Sequence, residues 1–241
     1  MNIALLMMGG VGQRVGAPIP KQFLNIDDKP IFAYILSGLN KSPYIDKIVV
    51  VTHSDWHPFV HKWIEILNAE KVYSVVSGGG TRSESVLNGL KSAAEFASGD
   101  DIVMIHDATH PYVDDVGIKE LIEAVKEYGG ATLGQRQFDT CYRVNSDDIL
   151  EEVIPRQYIV SGASPEAFFF GRIFKIYNDS DPIVFEKMTS AGAIALANGI
   201  RMKVCTLHTL NLKVTYPEDL ELLKHLMTEY FFPYENVSAS K

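Results

Sequence analysis

The feature that most constrains this chain is an apolar segment near its N-terminus that runs into a glycine-rich loop. Residues Asn2–Met8 have the length and composition of one β-strand, and the loop Gly9–Gly12 follows directly. Arg14 and Lys21 then add two cations. Glycines let the backbone approach phosphate oxygens closely, and loop N–H groups can point at an anion. The segment therefore favours a strand and loop that bind a polyphosphate, although glycines alone would also be typical of a plain turn.

Neither of the two standard phosphate loops is present. The Walker pattern Gly-x-x-x-x-Gly-Lys-Ser/Thr is absent, which argues against a P-loop NTPase. The dinucleotide fingerprint also fails, because Val15 stands where its third glycine is expected after Gly10 and Gly12. A different kind of nucleotide loop is needed to explain the two cations.

Apolar, β-branched runs alternate with segments of helical spacing through the first half of the chain. The predicted strands are Ile3–Met7, Ile48–Thr52, Val72–Val76, Ile102–Ile105 and Ala131–Leu133. The predicted helices are Ile31–Leu39, Phe59–Leu67, Ser83–Ala97 and Ile118–Tyr128. This alternation predicts right-handed crossovers and a parallel sheet covered on both faces. We expect an α/β fold with a doubly wound, mostly parallel, Rossmann-like sheet, in a single domain over residues 1–241.

Three polar motifs follow predicted strands directly. The glycine loop follows the first strand, Gly78–Gly80 follows the third, and His106 and Asp107 end the fourth. In such sheets ligands bind beyond the carboxyl ends of the strands, so the three motifs should meet at one edge. Thr81 and Glu84 also have the spacing of a helix capping box, which is compatible with a ligand role for the same loop.

The pattern changes after about Gln137. Thr140–Val144 and Leu150–Ile154 flank a turn-like sequence and predict a hairpin, here a protruding β-arm at about 138–160. The segments expected beyond it are helices at Pro165–Tyr177 and Phe185–Ala197, strands at Arg201–Thr206 and Leu210–Thr215, and a last helix that Pro217 opens.

Charge and cysteine content exclude several classes of protein. The net charge of −8 argues against general nucleic-acid binding, which needs a basic footprint. Only two cysteines occur, Cys141 and Cys205, which gives neither a disulfide framework nor a metal-binding spacing. The apolar run at the N-terminus is too short for a membrane span and lacks the basic start of a signal peptide. We expect a cytoplasmic protein with no membrane partner.

Met8–Arg14 together with Pro20–Phe23 resembles the signature of the CTP-dependent cytidylyltransferases of the methylerythritol-phosphate and ribitol-phosphate type. The likeness continues to about Leu220. It includes Gly78–Leu90, His106–Pro111, Asp139–Thr140, Gly162–Phe168 and Asn211–Thr215. The resemblance implies the substrates CTP and a polyol phosphate, the cofactor Mg²⁺, and a homodimer in which the β-arm completes the partner's active site.

The resemblance also implies roles for individual residues. The catalytic residues it implies are Arg14, Lys21, Asp107 and Lys213, with Asp107 also the metal ligand. The nucleotide-binding residues it implies are Gly9, Gly10, Gly12, Gly79, Gly80, Arg82 and Ser85. The acceptor-binding residues it implies are His110, Thr140, Arg156, Ser164 and Thr189.

Three positions depart from the family pattern. His110 stands where the family has Arg, Glu166 where it has Gln, and Ser190 where it usually has Asp. Arg is always charged and binds phosphate through two N–H groups, whereas His does neither reliably. The His110 and Ser190 departures leave a non-catalytic nucleotide-binding homologue as an alternative to an enzyme.

The acceptor predicted from the family resemblance is a sugar-alcohol phosphate like ribitol 5-phosphate. Met8–Gly10, Ser54–Trp56, Ile154–Pro155 and Asn211–Lys213 favour the ribitol type. The alternative is 2-C-methyl-D-erythritol 4-phosphate, the acceptor of isoprenoid synthesis. A dehydrogenase of similar layered fold is a third possibility, against which the missing third glycine and the cationic loop both speak.

Overall fold

The structure is a computed structural model of the chain. It describes residues 1–9, 19–185, 188, 190–207, 209–210, 212–214, 217–227 and 231. Four of the predicted site residues lie outside the described residues: Gly10, Gly12, Arg14 and Thr189. The predictions made for them remain predictions.

The described part of the chain alternates strands and helices, as the sequence predicts. The strands are β1 (Asn2–Met8), β2 (Asn25–Ile26), β3 (Lys29–Pro30), β4 (Lys47–Thr52), β5 (Val72–Ser77), β6 (Ile102–Asp107), β7 (Gly129–Arg136), β8 (Cys141–Val144), β9 (Leu150–Ile154), β10 (Val160–Phe169) and β11 (Arg201–Thr206). The helices are α1 (Ile31–Lys41), α2 (His57–Ile66), α3 (Arg82–Ala93), α4 (Asp115–Tyr128), α5 (Phe170–Asp179), α6 (Ala191–Ala197) and α7 (Pro217–Leu226).

The central sheet has seven strands in the order β11-β7-β10-β6-β1-β4-β5. Strand β1 is parallel to both neighbours, with Leu5 opposite Val49 on one side and Ile105 on the other. Strand β10 is antiparallel to β6 and to β7, while β11 is parallel to β7 and β5 to β4. The prediction of a mostly parallel, Rossmann-like sheet is confirmed.

Helices cover the sheet on both faces, which explains why the central strands β1, β4 and β6 are buried along almost their whole length. Side chains of β1 point alternately to the two sides. Ala4, Leu6 and Met8 pack into the core cluster that contains α1 and α4. Ile3, Leu5 and Met7 pack into the cluster that contains α3, α5 and α6. A smaller cluster joins α7 to α1 and the β2–β3 pair.

Local sequence signals set the ends of the helices that border the site. Helix α3 begins with the predicted capping box, in which Thr81 accepts from the Glu84 N–H and Glu84 accepts from the Thr81 N–H. Helix α4 begins after Asp114, whose carboxylate accepts from the Gly117 N–H at 2.6 Å. It ends at Gly129, whose φ of 98° suits glycine.

The predicted hairpin is present as strands β8 and β9, which pair with each other in a separate two-stranded sheet. Several large apolar side chains on and beside the hairpin are exposed to solvent. Those more than half exposed include Phe138, Tyr142, Leu150, Val153 and Tyr158. The prediction that this hairpin reaches a second subunit stays a prediction.

Two secondary-structure predictions were wrong. Residues 165–169 belong to β10 rather than to a helix, because Glu166–Phe169 pair with Ile102–Ile105 of β6 and bury their apolar side chains there. Pro165 is tolerated because a register shift interrupts the pairing with β7 between Ala163 and Glu166. Of Leu210–Thr215, the described residues 210 and 212–214 form no strand; the Val214 N–H instead donates to the Thr109 carbonyl at 3.2 Å.

The predicted helix ends also needed adjustment. Helix α3 ends at Ala93 rather than Ala97. Helix α6 begins at Ala191 rather than Phe185, and its N-cap residue Ser190 accepts a hydrogen bond from the Ala193 N–H at 3.0 Å. None of the helices in the described part of the chain is long and apolar enough to cross a membrane.

Candidate active site

The three predicted motifs meet at the carboxyl edge of the parallel strands. A Cβ built on Gly9, after β1, would lie 3.4 Å from Oγ of Ser85, and one built on Gly78, after β5, would lie 2.9 Å from the same atom. Arg82, in the first turn of α3, reaches across to Asp107 at the end of β6. Short strands that end together therefore bring Gly9, the Gly78–Gly80 loop and Asp107 to one place.

Asp107 is held between two cations. A guanidinium nitrogen of Arg82 lies 3.1 Å from one carboxylate oxygen, and Nζ of Lys213 lies 3.5 Å from the other. Burial acts to raise the pKa of the Asp107 carboxyl, but the positive charges of Arg82 and Lys213 outweigh it and lower that pKa below its ordinary value. Asp107 is therefore a carboxylate at neutral pH.

Arg82 is in turn flanked by two carboxylates. Burial acts to lower the pKa of its guanidinium, but the negative charges of Asp107 and Glu166 outweigh this effect and raise it. A charged arginine thus stands between an acid of β6 and an acid of β10.

A buried hydrogen-bonded chain fixes the backbone at Asp107. The Asp107 N–H donates to Oγ of Ser164 at 2.9 Å, and that Oγ lies 3.1 Å from Nδ1 of His106. Nε2 of His106 lies 2.8 Å from the carbonyl oxygen of His110, which can only accept. Nε2 therefore carries the proton, and the Ser164 hydroxyl donates to Nδ1. Burial lowers the pKa of His106, which keeps this ring neutral.

A cavity of about 350 Å³ opens beside Asp107, large enough for a small ligand. Its lining is strongly polar, and its charged or hydrogen-bonding side chains include Arg82, Asp107, His110, Ser164, Glu166 and Lys213. The resemblance predicted that Arg82 binds the nucleotide, that Asp107 binds the metal, and that His110 and Ser164 bind the acceptor. It also predicted that Lys213 binds phosphate. Glu166 had no predicted role.

Lys21 borders the same region from the other side. Its ammonium donates a hydrogen bond to the carbonyl oxygen of Val214, the residue after Lys213. The neighbouring Gln22 donates to the Met8 carbonyl at 2.6 Å, which fixes this segment to the end of β1. Phe23 stacks on Trp56 with ring centroids 4.1 Å apart. The Pro-Lys-Gln-Phe segment is thus anchored at its lysine and at the two residues that follow it.

The Gly78–Gly80 loop is shaped by side chains of α3. Ser85 accepts from the Gly79 N–H at 3.0 Å and donates to the Thr81 carbonyl at 2.9 Å. Glu84 accepts from the Gly80 N–H at 2.6 Å. A Cβ on Gly79 would lie only 2.3 Å from Cβ of Glu84, so this loop needs glycine to lie so close to the helix.

Thr140 and Arg156 do not reach this cavity within the chain. Both are exposed beside the hairpin, and Arg156 donates to the carbonyl oxygen of Phe138. They are absent from the residues that line the cavity. This arrangement is compatible with the predicted role in a partner's site and does not test it.

The sequence interpretation missed Glu166 and Ser190 as lining residues of the cavity. Ser190 lies at the start of α6, and no local pattern indicates it. For Glu166 the missed signal is its position two residues after Ser164 on β10, since both residues line the cavity. The prediction of a helix across Pro165 concealed this pattern.

The donor set at Asp107 fits Mg²⁺, which takes one or two carboxylates and completes its coordination with phosphate oxygens and water. No group of three or more His, Cys, Asp or Glu side chains in the described residues could hold a metal by itself. A magnesium ion here would need substrate phosphates as further ligands.

Comparison with known proteins agrees with this geometry. The sequence family described as "IspD: 2-C-methyl-D-erythritol 4-phosphate cytidylyltransferase" matches residues 2–229. The chain belongs to this cytidylyltransferase family. The enzymes of the family are nucleotidyltransferases by name, so the predicted enzyme class is confirmed.

Individual relatives divide between two acceptors. A ribitol-5-phosphate cytidylyltransferase of Streptococcus agalactiae serotype Ia is 32% identical over 230 residues, 94% of this chain and 95% of that protein. A 2-C-methyl-D-erythritol 4-phosphate cytidylyltransferase of Thermotoga neapolitana is 32% identical over 231 residues, 95% of this chain and 98% of that protein.

Solved structures share the fold. The 4-diphosphocytidyl-2C-methyl-D-erythritol synthase of Anaerococcus prevotii is similar with a TM-score of 0.78 at 19% identity, over 94% of this chain and 98% of that one. The 2-C-methyl-D-erythritol 4-phosphate cytidylyltransferase of Francisella tularensis gives 0.73 at 25% identity, over 92% and 98%.

Proposed function

We propose that this cytidylyltransferase transfers CMP from CTP to ribitol 5-phosphate or a similar sugar-alcohol phosphate, and releases pyrophosphate and a CDP-alditol. The observation that carries the proposal is the Asp107 carboxylate between Arg82 and Lys213 at the mouth of a polar cavity. This site offers positive charge to two phosphorylated substrates and an oxygen ligand to a cation.

The reaction needs little covalent chemistry from the protein. An anionic phosphate oxygen of the acceptor forms a bond to the α-phosphorus of CTP, and the bond from that phosphorus to the pyrophosphate oxygen breaks. The nucleophile carries no proton to remove. The barrier is the repulsion between two anions and the charge that builds at phosphorus, so positioning and cations supply most of the catalysis.

The chain's own cations can meet these needs. Lys21 and Arg14, the two cations of the N-terminal segment, bind the triphosphate. Lys213 binds phosphate at the Asp107 end of the cavity. Arg82 keeps Asp107 ionised and its carboxylate fixed. His110 and Ser164 bind the acceptor, with Thr189 as a further predicted contact. The Gly78–Gly80 loop and Ser85 shape the site for cytosine.

Asp107 would hold Mg²⁺ together with phosphate oxygens of the substrates. When bound, Mg²⁺ supplies positive charge to the phosphates. The contribution of the protein is the ionised carboxylate, which Arg82 and Lys213 hold in place before substrate arrives.

The acceptor is proposed as ribitol 5-phosphate, and 2-C-methyl-D-erythritol 4-phosphate is the second candidate. The ribitol-like segments Met8–Gly10, Ser54–Trp56 and Ile154–Pro155 support the first. The matched family and the Thermotoga relative support the second.

A homodimer joined through the β8–β9 hairpin is the proposed assembly. The exposed apolar side chains of Phe138, Leu150, Val153 and Tyr158 support it, because contact with a second copy would bury them. Thr140 and Arg156 would then enter the partner's cavity. The two cysteines, neither of them in a disulfide, and the phosphorylated substrates support a cytoplasmic location.

The proposal is tested by measuring pyrophosphate release from CTP and Mg²⁺ with a panel of polyol phosphates. Turnover with ribitol 5-phosphate is expected, and turnover with methylerythritol phosphate alone would select the second candidate. Measurable CTP binding without turnover of any acceptor would contradict both and favour the nucleotide-sensing alternative.

A further inference from the structure

Glu166 is a charged side chain of the cavity that neither the family resemblance nor the proposed chemistry uses. It lies in β10, between Thr132 of β7 and Ile105 of β6, and its carboxylate faces the first turn of α6. Oε2 accepts from the Ala191 N–H at 3.0 Å, and Oε1 accepts from the Gly192 N–H at 2.9 Å. These two bonds hold the carboxylate in one orientation at the wall of the cavity.

The carboxylate keeps hydrogen-bonding capacity after these contacts. Each carboxylate oxygen can accept two hydrogen bonds, and among the described residues each oxygen of Glu166 receives one. The side chain is only partly buried, so the remaining lone pairs can be reached from the cavity. A carboxylate accepts hydrogen bonds and never donates them. A ligand group that uses the remaining lone pairs must therefore be a hydrogen-bond donor, such as a hydroxyl.

The charge of Glu166 also gives the cavity a direction. Arg82 and Lys213 contact different carboxylate oxygens of Asp107, and of these two cations Arg82 is the one on which the charge of Glu166 acts, together with that of Asp107. A phosphate group is attracted towards Lys213 and repelled by a fixed carboxylate. A ligand with a phosphate at one end and hydroxyls along its chain therefore fits in one orientation.

We propose that Glu166 determines acceptor specificity, by accepting a hydrogen bond from a hydroxyl of the sugar-alcohol chain and by keeping the phosphate at the Lys213 end of the cavity. This inference rests on the proposed function and deepens it. A site built to bond a substrate hydroxyl discriminates against an analogue that lacks it, because the site's polar group is then left unpaired.

The test compares ribitol 5-phosphate with its monodeoxy analogues, each lacking one hydroxyl, in the wild-type enzyme and in Glu166→Gln. One analogue should lose about 10- to 100-fold in kcat/KM with the wild type, the effect of one hydrogen bond to a charged group. In Glu166→Gln that difference should shrink to about a few-fold, because the neutral amide oxygen is a weaker hydrogen-bond acceptor than the carboxylate. Glu65→Gln, the same change on the exposed side of α2, should keep the wild-type profile.

Glu166 also stabilises the start of α6, so a second variant separates this structural role from recognition. Glu166→Gln/Ala193→Glu places a carboxylate in the first turn of α6, at a residue that does not line the cavity, while residue 166 stays neutral. The melting temperature of this double variant should recover relative to Glu166→Gln, and the discrimination between acceptors should stay lost. Recovery of both together would mean that Glu166 acts only through α6, and would overturn the inference.

A third variant moves the carboxylate without removing its charge. A Cβ at Gly192 would lie 2.5 Å from Oε1 of Glu166, so Gly192→Ala should displace that flexible side chain and weaken the discrimination. Gly38→Ala in α1, where a Cβ meets nothing within 4 Å, is the control.

The possible failures are distinguishable. A wild type that turns over no polyol phosphate contradicts the proposed function, and the inference falls with it. A wild type that turns over ribitol 5-phosphate, with a deoxy-analogue profile that Glu166→Gln and Gly192→Ala leave unchanged, contradicts the inference alone.

Discussion

Lys21 donates a hydrogen bond from its ammonium to the backbone carbonyl oxygen of Val214, although 193 residues separate the two in sequence. This contact ties the segment that follows the glycine loop to the segment that carries Lys213. Since Lys213 pairs with Asp107, Lys21 connects the segment after β1 to the Asp107 end of the cavity. Two segments that are far apart in the sequence, around Lys21 and around Lys213, therefore lie side by side.

Lys21→Ala should lower kcat by about 100-fold or more, because it removes a charged donor aimed at the transition state. It should also raise the KM for the acceptor, since the Lys213 segment loses its tie at Val214. Steady-state kinetics with both substrates varied measures each effect. Lys62→Ala, on the exposed side of α2, is the control, and near-normal turnover of Lys21→Ala would remove this residue from the mechanism.

Asp107→Asn keeps the shape of the side chain and removes the charge that Arg82 and Lys213 share. Turnover should fall by about 100-fold or more, while the melting temperature changes little because the two cations stay partly exposed to water. Asp100→Asn, an exposed acid at the opposite end of β6, should behave as wild type. An active Asp107→Asn enzyme would show that neither metal binding nor the arrangement of cations depends on this carboxylate.

Ser164→Ala should both destabilise the protein and slow the reaction. The hydroxyl accepts the Asp107 N–H and donates to His106, so its loss leaves buried groups unpaired, at a cost of about 1–3 kcal/mol. Ser164→Thr keeps the hydroxyl and should restore both properties. The measurements are the melting temperature and kcat of both variants. Equal values for Ser164→Ala and Ser164→Thr would show that the hydroxyl contributes to neither stability nor turnover.

The proposed exchange of residues between subunits predicts complementation. Arg156→Ala and Lys213→Ala should each be inactive alone, since each removes a cation from every site. In a mixed dimer, one site keeps its own Lys213 and receives an intact Arg156 from the partner. Random exchange of subunits should restore about a quarter of wild-type activity. A mixture that stays inactive although mixed dimers form would place Arg156 outside the partner's site.

Most of the fold was predictable because the central parallel strands are short and mainly apolar. Ile48–Thr52 and Ile102–Ile105 could be recognised without knowing their neighbours, and the hairpin at 141–154 followed from its turn. Strand β10 was not predictable, because its apolar residues also have helical spacing and only its position between β6 and β7 makes them a strand. Local pattern cannot report such long-range pairing.

Part of the cavity lining was predictable, because motifs singled out some of its residues. Asp107, Lys21 and Lys213 stood out through the resemblance, and the structure brings Asp107 and Lys213 to 3.5 Å. Glu166 was missed because a helix was predicted across Pro165, and no local pattern indicates its contacts with Ala191 and Gly192, which join residues 25 and 26 positions apart.

The most direct test of the central claim is a competition experiment. The protein is incubated with CTP, Mg²⁺ and equal concentrations of ribitol 5-phosphate and 2-C-methyl-D-erythritol 4-phosphate, and the nucleotide products are identified by mass spectrometry. We predict CDP-ribitol as the main product, together with pyrophosphate. A reaction that yields neither CDP-ribitol nor the methylerythritol product, from protein that binds CTP, would contradict the account.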